Sequence, residues 1–284
     1  MNTSNRASLL AKSFKALKKH FKPVAPPADR AVLEHLLYGC CLENSKHEQV
    51  DEVIAKLQQN YFDWNEVRVA TITELAEVMS VLSDPSESAT RLKRTLHAVF
   101  ETHYSFDLDF LKKQNLGEAT KEIEKLAGVT PYTVSYAVQN ALSGHSIPVN
   151  RSGYEIFVIL GIITETDARK KRVPGLERAI PKSKGGEFGS IFQQLSVDFE
   201  GSPYSSRIRN LLLNIAPDAK DRLPKRGAAE KGAPEKGKPK SKTRSTTVKR
   251  TEQKGVGKKK RIEVKTGPPK KKSATKRLTR KKPR

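Results

Sequence analysis

The chain is 284 residues long and carries 54 Lys/Arg against 31 Asp/Glu, a formal net charge of +23, with only two cysteines. No stretch reaches the roughly 18 apolar residues of a membrane span, and residues 1–22 lack the apolar core of a signal peptide. Cys40 and Cys41 are adjacent, which excludes a disulfide framework and leaves no His/Cys set with metal-ligand spacing; both are expected to be small buried residues.

The charge sits at the ends. Residues 221–284 hold 26 Lys/Arg and 5 Asp/Glu, residues 1–30 hold 7 and 1, and residues 31–220 hold 21 and 25. A slightly acidic body of ordinary domain size therefore carries two basic arms. The division expected is a basic amphipathic helix and Pro-rich linker over 1–28, a helical domain over 29–220 and a disordered Lys-rich tail over 221–284.

In chain order, Leu9, Leu10, Phe14, Leu17 and Phe21 recur at helical spacing with Lys12, Lys15, Lys18 and Lys19 between them. This first helix is stopped by Pro23, Pro26 and Pro27, and it is expected to pack on the body rather than lie on a membrane. Asp29 is placed as the cap of a helix through Val32, Leu36 and Cys40, and Gln49 to Leu57 gives a second. Thr73 is placed as the cap of a segment through Leu82, Asp84-Pro85 as a break, and Ser88 to His103 as the next helix. Trp64, beside Tyr61 and Phe62, is expected to be a packing cluster rather than a base-stacking platform. Phe106 to Lys113 is turn-like, and Ala119 to Leu126 leads into a tight turn.

That turn is the most informative stretch. Leu126-Ala127-Gly128-Val129-Thr130-Pro131-Tyr132 reads as a helix end, a Gly-Val-Thr turn and a new helix with Thr130 as cap and Pro131 at the first helical position. Such a helix–turn–helix aims backbone N–H groups outward, a site suited to phosphate, so Gly128, Val129 and Thr130 are the candidate DNA contacts. The second helix ends at Ser143-Gly144 and is followed by Ile147-Pro148-Val149-Asn150. The β-branched run Tyr154–Ile163 is read as helix because no partner strand lies near, and helices follow at 176–180, 190–199 and 205–215. The body is all-α.

The tail points the same way. It has no aromatic residue, and runs such as Lys258-Lys259-Lys260-Arg261 and Lys270-Lys271-Lys272 cannot support a core. Its expected role is sequence-blind, salt-sensitive binding to nucleic-acid phosphates, since each neutralised phosphate releases a counterion.

From about Asp29 to about Leu213 this succession resembles the helix-hairpin-helix DNA glycosylase superfamily, and endonuclease III in particular. In that family the hairpin reads Leu-Pro-Gly-Val-Gly, a variable residue, then Lys in the bifunctional members, with a Val-Asp pair whose Asp lies eighteen positions after the Lys. The matching positions here are Tyr132 and Asn150. The resemblance implies an endonuclease III-like helical body, DNA as partner through backbone phosphates, and a place in base-excision repair.

It also implies what is missing. The family flips a base into a pocket and breaks its glycosidic bond; the Asp stabilises the electron-deficient sugar or activates a nucleophile, and the Lys forms a Schiff base. Tyr132 cannot form the imine, and Asn150 carries no charge, although an Asn can still cap a helix. The family's Gln on the leading helix aligns with Cys41, and no cysteine follows Cys41, so the iron–sulfur motif is absent and no cofactor is expected. Glu155, Glu165 and Asp167 are the alternative carboxylates, and His145 is the one histidine near the expected site.

The reading is a DNA-binding protein with degenerate catalytic positions, located with DNA inside the cell. The alternatives are an active monofunctional DNA glycosylase with unusual catalytic residues, and a chromatin-type or adaptor protein. Protein partners are not indicated by the sequence.

Overall fold

A computed structural model describes residues 3–27 and 29–225; the tail runs singled out above, Lys258 to Arg261 and Lys270 to Lys272, lie outside the described residues. The described residues are helical, with no strand among them. In chain order the helices are α1 (Thr3–Leu17), α2 (Val32–Leu42), α3 (His47–Asn60), α4 (Trp64–Val69), α5 (Ile72–Val78) and α6 (Pro85–His103). After a 3-10 turn at Asp109–Lys113 come α7 (Leu116–Glu124), α8 (Pro131–Asn140), α9 (Arg151–Ile159), α10 (Glu165–Arg169), α11 (Leu176–Ala179), α12 (Lys182–Gly201) and α13 (Ser206–Ile215).

Apolar side chains gather into two cores, and these define two lobes. Helices α2 to α8 enclose the first, built on Leu36, Leu37, Val53, Leu75, Leu92, Leu96 and Ile123. The second joins α1 to α9–α13 through Leu10, Leu17, Ile156, Phe157, Phe188, Phe192 and Leu212. Its centre is aromatic: Phe157 stacks on Phe192 with ring centroids 4.3 Å apart, and Phe188 lies 5.5 Å from Phe192. The second lobe is thus made from both ends of the body. The chain starts there, crosses to build the first lobe, and returns through 143–150.

Helix α1 shows why its sequence alternates Leu with Lys. Leu10 and Leu17 are fully buried, while Arg6 Nε donates to the Ile162 carbonyl at 2.8 Å and Lys18 pairs with Glu187 at 2.6 Å. The following segment cannot be helical because of Pro23, Pro26 and Pro27. It runs as an extended strap along α12, held by Val24 N–H donating to Ser190 Oγ and by Gln194 Nε2 donating to the Lys22 carbonyl, at 2.8 and 2.7 Å.

Several helix starts differ from the sequence expectation. Asp29 does not cap α2; the Val32 N–H donates instead to Asp109 Oδ1 at 2.8 Å, a carboxylate from the 3-10 turn far along the chain. Thr71, not Thr73, caps α5, and it forms a capping box with Glu74. Asp84-Pro85 begins α6 rather than breaking the chain, because Asp84 accepts from the Glu87 N–H and Pro85 occupies the first helical position.

Candidate nucleic-acid interface

The hairpin joins α7 to α8 and is fastened to α6 from behind. Gly128 has φ +94°, and a Cβ placed on it would lie 2.7 Å from the Arg91 carbonyl and 2.8 Å from the Thr95 nitrogen. Glycine is required here twice over, by its backbone conformation and by this close approach to α6. Thr130 caps α8 by accepting from the Thr133 N–H at 3.2 Å, and Val129 packs against the first core.

The Thr130 hydroxyl donates to Glu43 Oε2 at 2.9 Å, and Arg91 Nη1 lies 2.5 Å from the same oxygen. Glu43 follows the last turn of α2 and is mostly shielded from solvent. Burial pushes its carboxyl above the usual carboxylate range, opposed by Arg91 and the Thr130 hydroxyl. Sequence reasoning missed Glu43. Nothing in its neighbourhood, Leu42-Glu43-Asn44, marks it as other than a helix-end carboxylate, and its partners come from two other helices.

Asn150 begins α9. Its Oδ1 accepts from the Gly153 N–H at 2.9 Å and its Nδ2 donates to the Glu43 backbone carbonyl at 2.7 Å. The side chain is buried, and each end of its carboxamide is engaged. Hairpin, α2 terminus and α9 are therefore tied through Thr130, Glu43 and Asn150.

Tyr132, in the first turn of α8, is buried. Its ring stacks on Tyr136, centroids 6.5 Å apart, and Tyr136 stacks on Tyr38 at 5.8 Å. Burial, then the neighbouring Tyr136 and Glu43, push its phenol well above the ordinary tyrosine value, so it stays neutral. The Tyr132 hydroxyl has no hydrogen-bond partner among the described residues.

Tyr132 lines two hollows. One is a partly enclosed groove of about 810 Å³ bordered by Glu43, Asp84, Thr130, Arg151, Arg169 and Lys171 among others. The other is a cavity of about 460 Å³ between the strap, the end of α2, α8, Pro148 and α12; its wall includes Val24, Leu42, His47, Tyr136 and Gln193. The size suits a small organic ligand. Its one carboxylate, Glu187, is held between Lys18 at 2.6 Å and Lys184 at 3.4 Å, and these contacts lower its pKa.

The other singled-out residues go elsewhere. Glu155 borders the groove but is solvent-exposed and pairs with Arg151 at 3.5 Å; Glu165 pairs with Arg169 at 3.6 Å; Asp167 completes a capping box with Thr164. His145 Nε2 lies 3.0 Å from the Ile180 carbonyl and does not line the cavity, whereas His47 does. Trp64 packs half-buried against the first core, while Phe62 beside it is exposed. Cys40 and Cys41 are free thiols, both fully buried, and burial raises their pKa values. Among the described residues no group of three or more His, Cys, Asp or Glu is placed to hold a metal, and no helix is long and apolar enough to cross a membrane.

No protein-family model matches the chain, and no curated protein matches it by sequence. Solved structures do. An endonuclease III trapped as a covalent intermediate with DNA superposes with a TM-score of 0.53 at 17% identity, covering 79% of this chain and all of that one. A thermostable thymine-DNA glycosylase superposes with a TM-score of 0.50 at 15% identity, covering 72% of this chain and 91% of that one. The chain has the endonuclease III-like helical fold that these two structures share.

Proposed function

We propose that this protein binds duplex DNA with its hairpin face and receives an extrahelical base in the interlobe cavity without breaking the glycosidic bond. The observation that carries this reading is the state of Asn150. A neutral carboxamide whose oxygen caps α9 and whose nitrogen holds the Glu43 carbonyl carries no negative charge for a developing sugar cation and is held at both ends. Tyr132 offers no amine for an imine, and Glu187 is tied by two lysines. Phosphate contacts by Gly128, Val129 and Thr130, non-specific affinity from the Lys-rich tail, and an intracellular site of action with DNA complete the proposal. No cofactor enters it.

A second reading, a monofunctional glycosylase, is favoured by Glu43. Its carboxylate borders the groove beside Arg91 and Thr130, where a buried negative charge can stabilise a developing sugar cation. One experiment separates the two: incubation of the protein with duplexes carrying a panel of damaged and mismatched bases, scoring base release, strand nicks and borohydride-trapped adducts. The first reading expects none of the three. Base release by the wild-type protein overturns the first reading, and its loss in Glu43→Gln, with circular dichroism showing that the variant is still folded and still binds the duplex, establishes the second.

A further inference from the structure

We infer that the second lobe carries a DNA-binding surface of its own, a lysine stripe on α1 that holds the backbone of a second duplex while the hairpin face holds the first. This rests on the proposed function, in which duplex DNA is the partner.

The two lobes differ in charge. Residues 31–142, which form the first lobe, hold 10 Lys/Arg against 17 Asp/Glu; residues 3–27 and 143–225, which form the second, hold 19 against 9. Helix α1 draws much of that excess onto one line. Lys12, Lys15 and Lys19 recur at i, i+3 and i+7, the spacing of one helix face. Backbone bonds from the Lys18 and Lys19 N–H groups to the Phe14 and Ala16 carbonyls carry the turn past Leu17.

The opposite face of α1 holds Leu10, Phe14 and Leu17. Both leucines are fully buried, and the Phe14 ring meets Phe188 edge-on with centroids 5.5 Å apart. The three lysines are exposed, as is Lys22, and the Arg207 guanidinium, 5.6 Å from the Phe21 ring, adds a cation from α13. Three carboxylates face α1 from neighbouring elements, and each is already held. Glu187 lies between Lys18 and Lys184 at 2.6 and 3.4 Å, and Asp218 pairs with Arg222 at 2.9 Å, beside Lys12. Asp167, which feels Arg6, sits in the capping box of α10.

The chemistry of the stripe selects its partner. A basic amphipathic helix binds a membrane by sinking its apolar face into the lipid, and here that face is occupied by the second core. A ridge of one sign with no apolar element suits the regularly spaced charges of a phosphate backbone. Lys12 to Lys19 spans about 10 Å, room for about three phosphates of one strand.

The stripe also stands apart from the hairpin face, and α12 gives the scale. Helix α1 meets α12 at Glu187 and Phe188, whereas α12 reaches the groove at Glu200, about 20 Å further along its axis. The lysines lie on the side of α1 turned away from the core, and no residue of 3–27 borders the groove. A duplex seated at the groove therefore leaves the stripe open to another.

The test uses the full-length chain and two short duplexes, one immobilised and one fluorescent in solution. Protein is loaded on the first, and capture of the second is read as a function of salt. Three proteins are compared: wild type, an α1 variant with Lys12→Gln, Lys15→Gln and Lys19→Gln, and a first-lobe variant with Lys56→Gln, Lys112→Gln and Lys113→Gln. The two variants lose equal charge, and the tail is the same in all three. Wild type and the first-lobe variant are expected to capture the second duplex alike. The α1 variant is expected to lose capture several-fold, its slope of log K on log salt shrinking by about 2–3, or about 0.9 for each phosphate no longer neutralised. Its affinity for the first duplex and its melting temperature are expected to stay near wild type, because the three lysines are exposed. Equal loss in both variants assigns the effect to net charge and overturns the inference, as does unchanged capture by the α1 variant or no capture by any of the three. Weaker binding of the α1 variant to the first duplex, in step with its loss of capture, puts the stripe on that same duplex and overturns the inference too. In each of these cases the immobilised duplex is still bound and the proposed function stands. Failure of wild type to bind the immobilised duplex overturns the proposed function and this inference with it.

Discussion

Asn150 Nδ2 donates to the backbone carbonyl of Glu43 at 2.7 Å, so the residue at the family's aspartate position is a clasp between α9 and the end of α2. An aspartate there keeps the helix cap and loses the donor, leaving two sets of lone pairs face to face. Asn150→Asp is expected to destabilise the protein by about 1–3 kcal/mol, the cost of an unmade buried hydrogen bond. Urea denaturation with an unchanged slope checks it. Equal midpoints for the two proteins would show that the clasp adds nothing.

Glu43 and Arg91 form a shielded ion pair at 2.5 Å beneath the hairpin. Removing one charge leaves the other without its partner, so Glu43→Gln is expected to cost about 3–5 kcal/mol. Pairing it with Arg91→Met is expected to restore part of that loss. A double-mutant cycle on denaturation midpoints reads the coupling. Strict additivity would show that the pair is not coupled.

Two glycines separate backbone strain from packing. Gly128 and Gly175 have φ of +94° and +83°, but a Cβ meets α6 at the first and nothing within 4 Å at the second. Gly175→Ala is expected to cost about 1–2 kcal/mol, from conformation alone. Gly128→Ala is expected to cost several kcal/mol more, because α6 backbone must move. Thermal melts of both variants check the order. It also follows that Gly128 substitutions are poor probes of DNA contact.

His35 is buried on α2, and its pKa is lowered from 6.5 to about 4, by burial first and by Arg30 and Lys112 next. A histidine whose folded pKa is depressed takes up its proton more readily in the unfolded chain. Stability is then full above about pH 6.5 and falls as pH drops toward 4, by up to a few kcal/mol. The expected signature is a steeper acid-side loss of melting temperature in wild type than in His35→Leu. Parallel curves for the two proteins would assign the acid loss to other groups.

Removing residues 226–284 is expected to weaken duplex binding and flatten its salt dependence. The slope of log K against log salt shrinks by about 0.9 for each phosphate that the tail no longer neutralises. An unchanged slope in the truncated protein would show that the tail does not touch the phosphates.

The helical class, the hairpin and the caps at Thr130 and Asn150 were legible in the sequence because they rest on neighbouring residues. Thr130 and Asn150 each cap a helix through an N–H three residues on, and Pro131 needs no partner for its nitrogen. The spacing between Tyr132 and Asn150 belongs to the same local grammar. What the sequence could not show was every relation between distant segments. Asp109 caps α2 from the 3-10 turn, Glu43 meets Arg91 and Thr130 from two other helices, and α1 closes a lobe whose remainder lies beyond residue 143.

The cavity is decided wholly at that level. His47 and Gln193 are ordinary polar residues of α3 and α12 until Tyr38, Asp51, Leu42 and Ser45 fix which of their atoms accept. Sequence sets what a residue can donate or accept within its own turn of helix. Packing of the two lobes sets which of those groups meet, because their partners lie far apart along the chain and only the tertiary structure brings them within hydrogen-bond distance.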